Sequence, residues 1–364
     1  MWLVALLVGL LPWSATMAQN HLRVSEIGGF PQSEADYAMG VSACFAGTIG
    51  NHIIMAGGCN FPDNSGVKHY YKGIYAACWQ ADTLQWRRIG TLPEPVAYGA
   101  TVDMGDSLLL IGGNNQEHSL RQVVSVKLDP RGNAIVMRLP SLPVTVDNGA
   151  AAYAKGHVFV FGGNQNGKPS KALWSLSCSR PTSQWKSRKA MPGKPRVQPV
   201  CVAHGQRLFA WGGFYAKGAK SKVATDGYAY DVKRNRWAQL ATPRDAAGES
   251  LTLSGATGAT NGAGLLLCLG GVNKTIFADA ISGKYQLVDQ ADYLKQPVAW
   301  YRFNATPLVF NAKTLRWLKP TTPDARLARA GALLIGIAAN QFLYIGGELK
   351  PGVRTPQILR IELE

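Results

Sequence analysis

A Gly-Gly pair follows an apolar run six times along the chain, and this repeat constrains the fold more than any other feature of the sequence. The pairs stand in IIMAGG, LLLIGG, VFVFGG, LFAWGG, LLLCLGG and LYIGG, and end at Gly58, Gly113, Gly163, Gly213, Gly271 and Gly347. Successive pairs are 55, 50, 50, 58 and 76 residues apart. Glycine lets a strand turn sharply where a side chain would collide with a neighbouring element. A period of about 50 residues with this pattern predicts an all-β propeller with four strands per blade.

The Gly-Gly signature is typical of kelch repeats, and six pairs predict a six-bladed kelch-type propeller. The last blade is one strand short, because only 17 residues follow Gly347. The missing strand is expected at the other end of the chain, where EIGGFPQSEADYAMG resembles RIGTLPEPVAYG at the junction of two blades. We therefore expect residues 21–27 to supply the outer strand of the C-terminal blade, which removes a free sheet edge. The 76-residue interval predicts an insertion at about residues 278–302.

The first 18 residues, MWLVALLVGLLPWSATMA, predict a secretory signal peptide that is cut after Ala18. The apolar run from Trp2 to Leu11 is too short to span a bilayer comfortably, and small residues precede the cut. The basic n-region is missing, so an uncleaved anchor is the alternative. We expect a signal peptide at residues 1–18, a propeller at residues 19–364, and a periplasmic protein with no stable membrane insertion after cleavage.

Charge and cysteine content narrow the possible partners. Lys and Arg number 38 and Asp and Glu 22, which gives a net charge of +16. The basic residues are scattered, are densest at residues 217–222, and form no stripe interleaved with aromatic residues, so we expect no nucleic-acid partner. The six cysteines lack metal-site spacing, and we expect most of them to be buried free thiols. The sequence leaves their pairing open.

The residue after each Gly-Gly pair should face one shared pocket, because the connection that follows the second strand of a kelch blade points to one face. These residues are Cys59, Asn114, Asn164, Phe214, Val272 and Glu348, and Glu348 alone among them is ionised. A carboxylate in a partly desolvated cavity can have its pKa raised into the range useful for acid/base chemistry. Arg354 ends the same loop, and its planar guanidinium suits a ligand carboxylate. The residues alone leave open whether the two form a site or simply pair to stabilise the loop.

Several further residues are candidates for ligand contacts. Asn60 and Asn273 each stand two residues after a Gly-Gly pair, where they could present amides to a ligand or bond their own loop as turn residues. Arg196, in MPGKPRVQ, either reaches the pore or caps the structure. The loop at residues 68–72, KHYYK, is either a sugar-stacking lip or simply exposed. Hydrolase-elbow, zinc-protease and Walker motifs are absent from the sequence.

Three motifs resemble those of the kelch-type N-acetylneuraminate epimerases, also called sialic acid mutarotases. They are GELKPGVRT at residues 347–355, GGVNKTIF at residues 270–277 and PGKPR at residues 192–196. The similarity covers nearly the whole mature chain in a rotated order, as in the cyclically permuted mutarotase branch. A propeller tolerates rotation because any blade junction can close the ring. Tyr71, Lys72 and Val96 depart from the family pattern and leave the exact sugar open.

The resemblance implies an isomerase that interconverts the α and β anomers of sialic acid, in support of its scavenging, with no metal or redox cofactor. It implies that Glu348 is the acid/base group, that Arg354 clamps the C1 carboxylate and that Lys350 adds charge; Asn60, Asn273 and Arg196 remain candidate substrate contacts. A non-catalytic kelch propeller that binds a protein or glycan at the same face is the alternative of a different class. An aldose mutarotase or another sugar isomerase is a further alternative. The preferred sialic acid, the oligomeric state and the source organism stay open.

Overall fold

A computed structural model of the protein describes residues 21–62, 66–80, 83–180 and 182–364, so the expected signal peptide at residues 1–18 lies outside the described residues. Within these ranges the chain is all-β and forms six main antiparallel sheets, each with a path of four strands. No helix in these ranges has the length and apolar character needed to cross a membrane.

The first three sheets are each built from strands that follow one another along the chain. Sheet 1 contains Phe45–Ile49, His52–Ala56, Gly73–Cys78 and Arg87–Thr91. Sheet 2 contains Ala100–Asp103, Leu108–Ile111, Val123–Leu128 and Ala134–Leu139. Sheet 3 contains Ala150–Ala154, His157–Phe161, Leu173–Ser177 and Lys186–Arg188.

The next three sheets continue the same pattern, with additions in sheets 4 and 6. Sheet 4 contains Val197–His204, Arg207–Tyr215, Gly227–Asp231 and Arg236–Leu240, and the short strand Lys222–Val223 pairs with the second of these. Sheet 5 contains Ala256–Thr260, Leu265–Gly270, Leu308–Asn311 and Arg316–Trp317. Sheet 6 contains Leu333–Ala338, Gln341–Ile345, Ile358–Leu363 and, from the other end of the chain, Leu22–Ile27.

Sheet 6 joins the two ends of the described chain. Leu22–Ile27 pairs antiparallel with Ile358–Leu363, from Leu22 opposite Leu363 to Ile27 opposite Ile358. The sequence-based prediction of this strand pair is confirmed. The pairing covers the edge that Ile358–Leu363 would otherwise expose to other chains.

Six hydrophobic clusters lie between successive sheets, and one of them lies between sheets 6 and 1. Ile54 of sheet 1 shares a cluster with Leu110 of sheet 2. Ile345 of sheet 6 shares another with Met55 of sheet 1. Apolar side chains from both faces of the sheets are thus removed from water, which is the main favourable contribution to folding.

The Gly-Gly pairs sit where one sheet meets the backbone that enters the next. A Cβ atom at Gly57 would lie 2.4 Å from the carbonyl oxygen of Val96, and one at Gly346 would lie 2.6 Å from that of Val41. The N–H group of Gly58 donates to the same Val96 oxygen at 2.8 Å. Gly57 has φ +62° and Gly58 has φ +100°, a region that favours glycine. The glycines are therefore required both by backbone conformation and by close approach.

Six residues, one from each repeat, are joined by backbone hydrogen bonds into a closed cycle, which we call the inner ring. All six have positive φ: Ala43, Tyr98, Asn148, Gln198, Gly255 and Gly331. The N–H group of each donates to the carbonyl of the previous member at 2.7–3.1 Å, and that of Ala43 donates to Gly331 at 3.0 Å. The cycle brings one segment of every repeat to the same region of the molecule.

The expected insertion in sheet 5 is present and contains three short helical segments. It comprises helix α1 (Lys274–Ile281), helix α2 (Gln290–Tyr293) and a 3-10 helix (Val298–Tyr301). The helical part begins before the expected residue 278, because Asn273 caps α1 by accepting the N–H groups of Thr275 and Ile276. The remaining short elements are the 3-10 helices Tyr37–Met39 and Ala325–Leu327 and the strands Cys59–Asn60, His69–Tyr70, Val146–Asp147, Asn164–Gln165, Lys168–Pro169, Glu348–Lys350 and Val353–Arg354.

All six cysteines lie in the described residues and are free thiols. Cys44, Cys59 and Cys268 are buried, which is half of the six, where the sequence predicted burial for most of them. Burial raises the pKa of the Cys44 and Cys268 thiols to about 12, which leaves them protonated and unreactive at neutral pH.

Candidate active site

The residues that follow the Gly-Gly pairs gather around the inner ring. Each pairs with the residue that directly precedes an inner-ring member. Glu348 pairs with Ala330, and the N–H group of Glu348 donates to the Ala330 carbonyl at 2.7 Å. Phe214 pairs with Val197 in the same way. The six connections therefore supply side chains to one region, as the repeat pattern indicates.

Two adjoining cavities open in this region. We call the first, of about 350 Å³, the aromatic lobe; Glu348 is one of its lining residues. We call the second, of about 420 Å³, the polar lobe; its lining residues include Lys68 and three asparagines, Asn114, Asn148 and Asn164. Tyr98, Gln198 and Phe214 line both lobes, so the lobes are neighbours. Each volume falls in the range of about 300–1,000 Å³ that is typical of small-molecule sites.

Glu348 and Arg354 face each other across a short hairpin. Glu348 is the register partner of Arg354, and Gly352, with φ +85°, forms the turn between their strands. Nη1 of Arg354 lies 2.6 Å from Oε2 of Glu348. The Arg354 side chain is 3% exposed and that of Glu348 is 22% exposed. Glu348 lines the aromatic lobe, whereas Arg354 is almost fully buried and lines neither lobe.

The electrostatics favour a carboxyl group that can exchange protons. Burial raises the pKa of the Glu348 carboxyl above its usual range, and the nearby charges of Arg354 and Lys68 oppose that rise. Burial also lowers the pKa of Arg354, but Glu348, Tyr98 and Cys59 outweigh this and keep the guanidinium charged. Burial raises the pKa of Tyr98 well above its usual value, so its hydroxyl stays protonated at neutral pH.

Lys68 belongs to the loop at residues 68–72, for which the sequence leaves open a sugar-stacking lip or simple exposure. Its Nζ lies 4.5 Å from the ring centroid of Tyr98 and 5.7 Å from that of Tyr70. Its positive charge acts to lower the pKa of Glu348, and its side chain lines the polar lobe. A cation held against aromatic rings is stabilised by their electron-rich faces. The signal in the sequence was the basic and aromatic composition of residues 68–72, which by itself did not indicate which side chain turns inward.

Arg196 takes the capping position rather than a pore position. Its side chain is buried; Nη1 donates to the carbonyl of Gly212 at 2.9 Å and Nη2 donates to Asp226 at 2.8 Å. Arg196 stands two residues before Gln198 of the inner ring. Val96, which is also buried, stands in the matching position two residues before Tyr98. This geometry supports a structural role for Arg196 in place of the expected substrate contact.

Asn60 is likewise occupied by its own surroundings. It is 2% exposed, and its Nδ2 donates to the carbonyls of Asp36 and Gly40 at 2.9 and 3.1 Å. Its Oδ1 accepts the hydroxyl of Tyr71 at 2.8 Å. Both ends of the amide are therefore engaged, and they tie the segment at Asp36 and Gly40 to Tyr71, which differs from both expected roles, a ligand contact and a bond to the backbone of its own loop.

Lys350 and Asn273 connect the insertion to the site. Nζ of Lys350 donates to the carbonyls of Leu294 and Gln296 at 3.1 and 2.7 Å, so its charge anchors the insertion to the Glu348 hairpin. Asn273 lines the aromatic lobe while its Oδ1 caps α1. Of the predicted site residues, the structure thus places Glu348 and Asn273 at the cavity, and places Arg354 and Lys350 in contact with elements that shape it.

A carboxyl group of raised pKa at a ligand-sized cavity, built on repeated β-sheets, defines a candidate acid/base site for a small polar ligand. Among the described residues, no three His, Cys, Asp or Glu side chains cluster so that they could hold a metal ion. The chain belongs to the N-acetylneuraminate epimerase family, because the model of that family matches residues 12–136 and 139–364.

Individual relatives agree with this assignment. The chain is 30% identical over 234 residues to the N-acetylneuraminate epimerase of Yersinia enterocolitica, a match that covers 61% of this chain and 56% of that protein. It is 30% identical over 251 residues to the N-acetylneuraminate epimerase of Salmonella paratyphi B, with 65% and 61% covered. It is 30% identical over 232 residues to that of Haemophilus influenzae, with 60% and 57% covered. The matches thus span about three fifths of the length of these relatives.

Proposed function

We propose that this protein is an N-acetylneuraminate epimerase that interconverts the α and β anomers of free N-acetylneuraminate. Family membership supports the substrate class. The observation that carries the proposal is Glu348, the one ionised residue among the six that follow the Gly-Gly pairs, with its raised pKa and its exposure to a ligand-sized cavity. Anomer exchange needs proton transfer and no oxidation, which a single well-placed carboxyl can provide.

The reaction opens and recloses the sugar ring. Glu348 as carboxylate takes the proton of the anomeric hydroxyl, the C2–O6 bond breaks as the C2 carbonyl forms, and the protonated Glu348 gives the same proton to O6. After rotation about the C2–C3 bond, Glu348 takes the proton back from the O6 hydroxyl as O6 attacks the other face of the carbonyl, and it then protonates the former carbonyl oxygen, which is the new anomeric hydroxyl. Because Oε2 faces Arg354, we assign the proton transfer to Oε1 of Glu348.

Arg354 and Lys68 have different roles in this proposal, although both are positively charged. Arg354 lies behind Glu348 and holds it in the charged form, in one orientation, at 2.6 Å. Lys68 lines the polar lobe and is placed to attract the C1 carboxylate of the sugar acid. We therefore assign the contact with the sugar carboxylate to Lys68, and not to Arg354 as the motif resemblance implied. Such positioning supports catalysis by holding the reacting atoms in place.

The fold and export of the protein complete the proposal. The six sheets are taken as blades of one kelch-type propeller at residues 19–364, closed by Leu22–Ile27 in the C-terminal blade. Support comes from the inner ring and from the hydrophobic cluster between sheets 6 and 1. Residues 1–18 act as the signal peptide, so the enzyme works in the periplasm.

The test of function starts from freshly released α-N-acetylneuraminate. Purified mature protein is added, and the α and β anomers are followed by proton NMR. We expect the approach to the equilibrium mixture to be faster than in buffer, in proportion to protein concentration. Rates equal to those of buffer, with binding of the sugar intact, would instead favour the non-catalytic propeller.

A further inference from the structure

We propose that the aromatic lobe binds the N-acyl group of the substrate and accepts acyl chains longer than acetyl. This inference rests on the proposed function, which identifies the ligand as an N-acylated sugar acid. It goes further by assigning a substrate preference to a wall that the insertion builds beside Glu348.

The wall of the aromatic lobe is apolar and packed. Its lining residues from the insertion are Ile276, Phe277, Ala280, Ile281, Tyr285, Tyr293 and Tyr301. Phe277 packs edge-to-face on Phe214 of sheet 4, with centroids 5.1 Å apart and an interplanar angle of 88°. Tyr293 packs in the same manner on Tyr301, at 5.4 Å and 80°. Rings that brace one another form a stable surface for an apolar group.

The charges of the site fix the orientation of a sugar acid. Lys68 and the three asparagines line the polar lobe, while Glu348 lines the aromatic lobe. A carboxylate placed against the aromatic wall would lose its hydration and would also lie near the Glu348 charge, so the sugar carboxylate belongs in the polar lobe. With the anomeric carbon at Glu348, the aromatic lobe is left for an apolar substituent. The acyl group is the apolar substituent that an N-acylated sugar acid offers.

The size of the lobe exceeds what an acetyl methyl requires. Its volume of about 350 Å³ is by itself that of a small-molecule site. Each buried methylene strengthens binding by about three- to fourfold when it fills apolar space without strain. We therefore expect affinity to rise along the series N-acetyl, N-propanoyl, N-butanoyl and N-pentanoyl neuraminate.

Two alanines of helix α1 provide a matched pair of variants. Among the described residues that line the lobe, Ala280 is included and Ala278 is not. Leucine favours helix at either position, so Ala280→Leu fills the lobe while Ala278→Leu makes the same chemical change outside it. Phe277→Leu is a second variant, which removes a ring from the wall. Near-UV circular dichroism establishes that each variant is folded.

The experiment measures dissociation constants of the four N-acylneuraminates by isothermal titration calorimetry on the mature protein and its variants. We expect the wild type and Ala278→Leu to bind each longer chain about threefold more tightly. We expect Ala280→Leu and Phe277→Leu to lose most of that gain. A wild-type affinity that is flat or falls with chain length, or a gain that both lobe variants keep, would overturn the proposal.

Failure of this inference can be told apart from failure of the proposed function. Anomer exchange with no gain along the acyl series overturns only the inference. The expected gain without any anomer exchange supports the acyl site and overturns the catalytic role. Absence of binding by every member of the series overturns both.

Discussion

Replacing Arg354 with glutamine should raise the pKa of Glu348 and move the acid limb of the pH–rate profile to higher pH. Nη1 of Arg354 lies 2.6 Å from Oε2 of Glu348, and its charge opposes the effect of burial on that carboxyl. Two unit charges about 4 Å apart interact by about 4 kcal/mol at an effective dielectric constant of about 20. That energy corresponds to about 3 pKa units as an upper bound. Because 22% of the Glu348 side chain meets solvent, we expect a shift of about 1–2 units.

The assay is the pH dependence of kcat/KM for anomer exchange, which reports the ionisation of the free enzyme. The matched control is Arg234→Gln, which removes a guanidinium from an exposed pair with Asp231. An acid limb that stays in place or moves to lower pH in Arg354→Gln would refute the reasoning, as would an equal shift in the control. A carbon-13 NMR titration, with Glu348→Gln used to assign the resonance, gives the same pKa without turnover.

Arg354→Gln should also change how the stability of the protein depends on pH, because the pKa of Glu348 differs between the folded and unfolded states. A carboxyl whose pKa is raised on folding contributes stability that is fully present below its unfolded pKa and is lost as pH rises through its folded pKa. Arg354→Gln raises the folded pKa of Glu348 further. The deficit in melting temperature of the variant relative to wild type should therefore grow as pH rises above the usual glutamate pKa of about 4.3.

Three other changes test separate parts of the account. Lys68→Met should raise KM for N-acetylneuraminate by about tenfold with a smaller effect on kcat, the size expected for a lost bond to a charged group; a greater loss in kcat than in KM would contradict this. Gly346→Ala should lower the free energy of unfolding by more than Gly50→Ala, as measured by chemical denaturation. Both glycines have φ near +60°, so the backbone strain is similar. A Cβ at Gly346 would lie 2.6 Å from the carbonyl oxygen of Val41, whereas a Cβ at Gly50 would have nothing within 4 Å. Deleting residues 21–27 should lower the melting temperature and expose a sheet edge that promotes association, seen by scanning calorimetry and light scattering, and an unchanged melting temperature would count against the role of that strand.

The repeat-level features of the fold were predictable from the sequence because they depend on backbone geometry. The Gly-Gly pairs indicate where the chain turns, and the same echo between residues 26–40 and 88–99 predicts which strand pairs with Ile358–Leu363. Comparing the residues after the pairs also singled out Glu348. These inferences need only local conformational preferences and a period, both of which one sequence contains.

The division of roles among the charged residues was not predictable, because it depends on which side chains are buried. Arg196 and Val96 occupy matching positions before the inner ring, and both are buried. From sequence alone, a charged guanidinium is expected to be exposed and an isopropyl group to be buried. Lys350 looked like a ligand contact from its place in the motif, but its Nζ reaches carbonyls 54 and 56 residues away along the chain. Lys68 reaches the cavity only through tertiary packing on Tyr98.

The central claim is that Glu348 transfers the protons of anomer exchange. Its most direct test is two-dimensional exchange NMR on an equilibrium mixture of N-acetylneuraminate anomers, with wild-type protein and with Glu348→Gln at equal concentrations. Glutamine keeps the shape of the side chain but cannot accept the proton, so we expect the protein-dependent exchange rate to fall by about 10²–10⁴-fold while sugar binding persists. An exchange rate in Glu348→Gln within a few-fold of wild type would contradict the account.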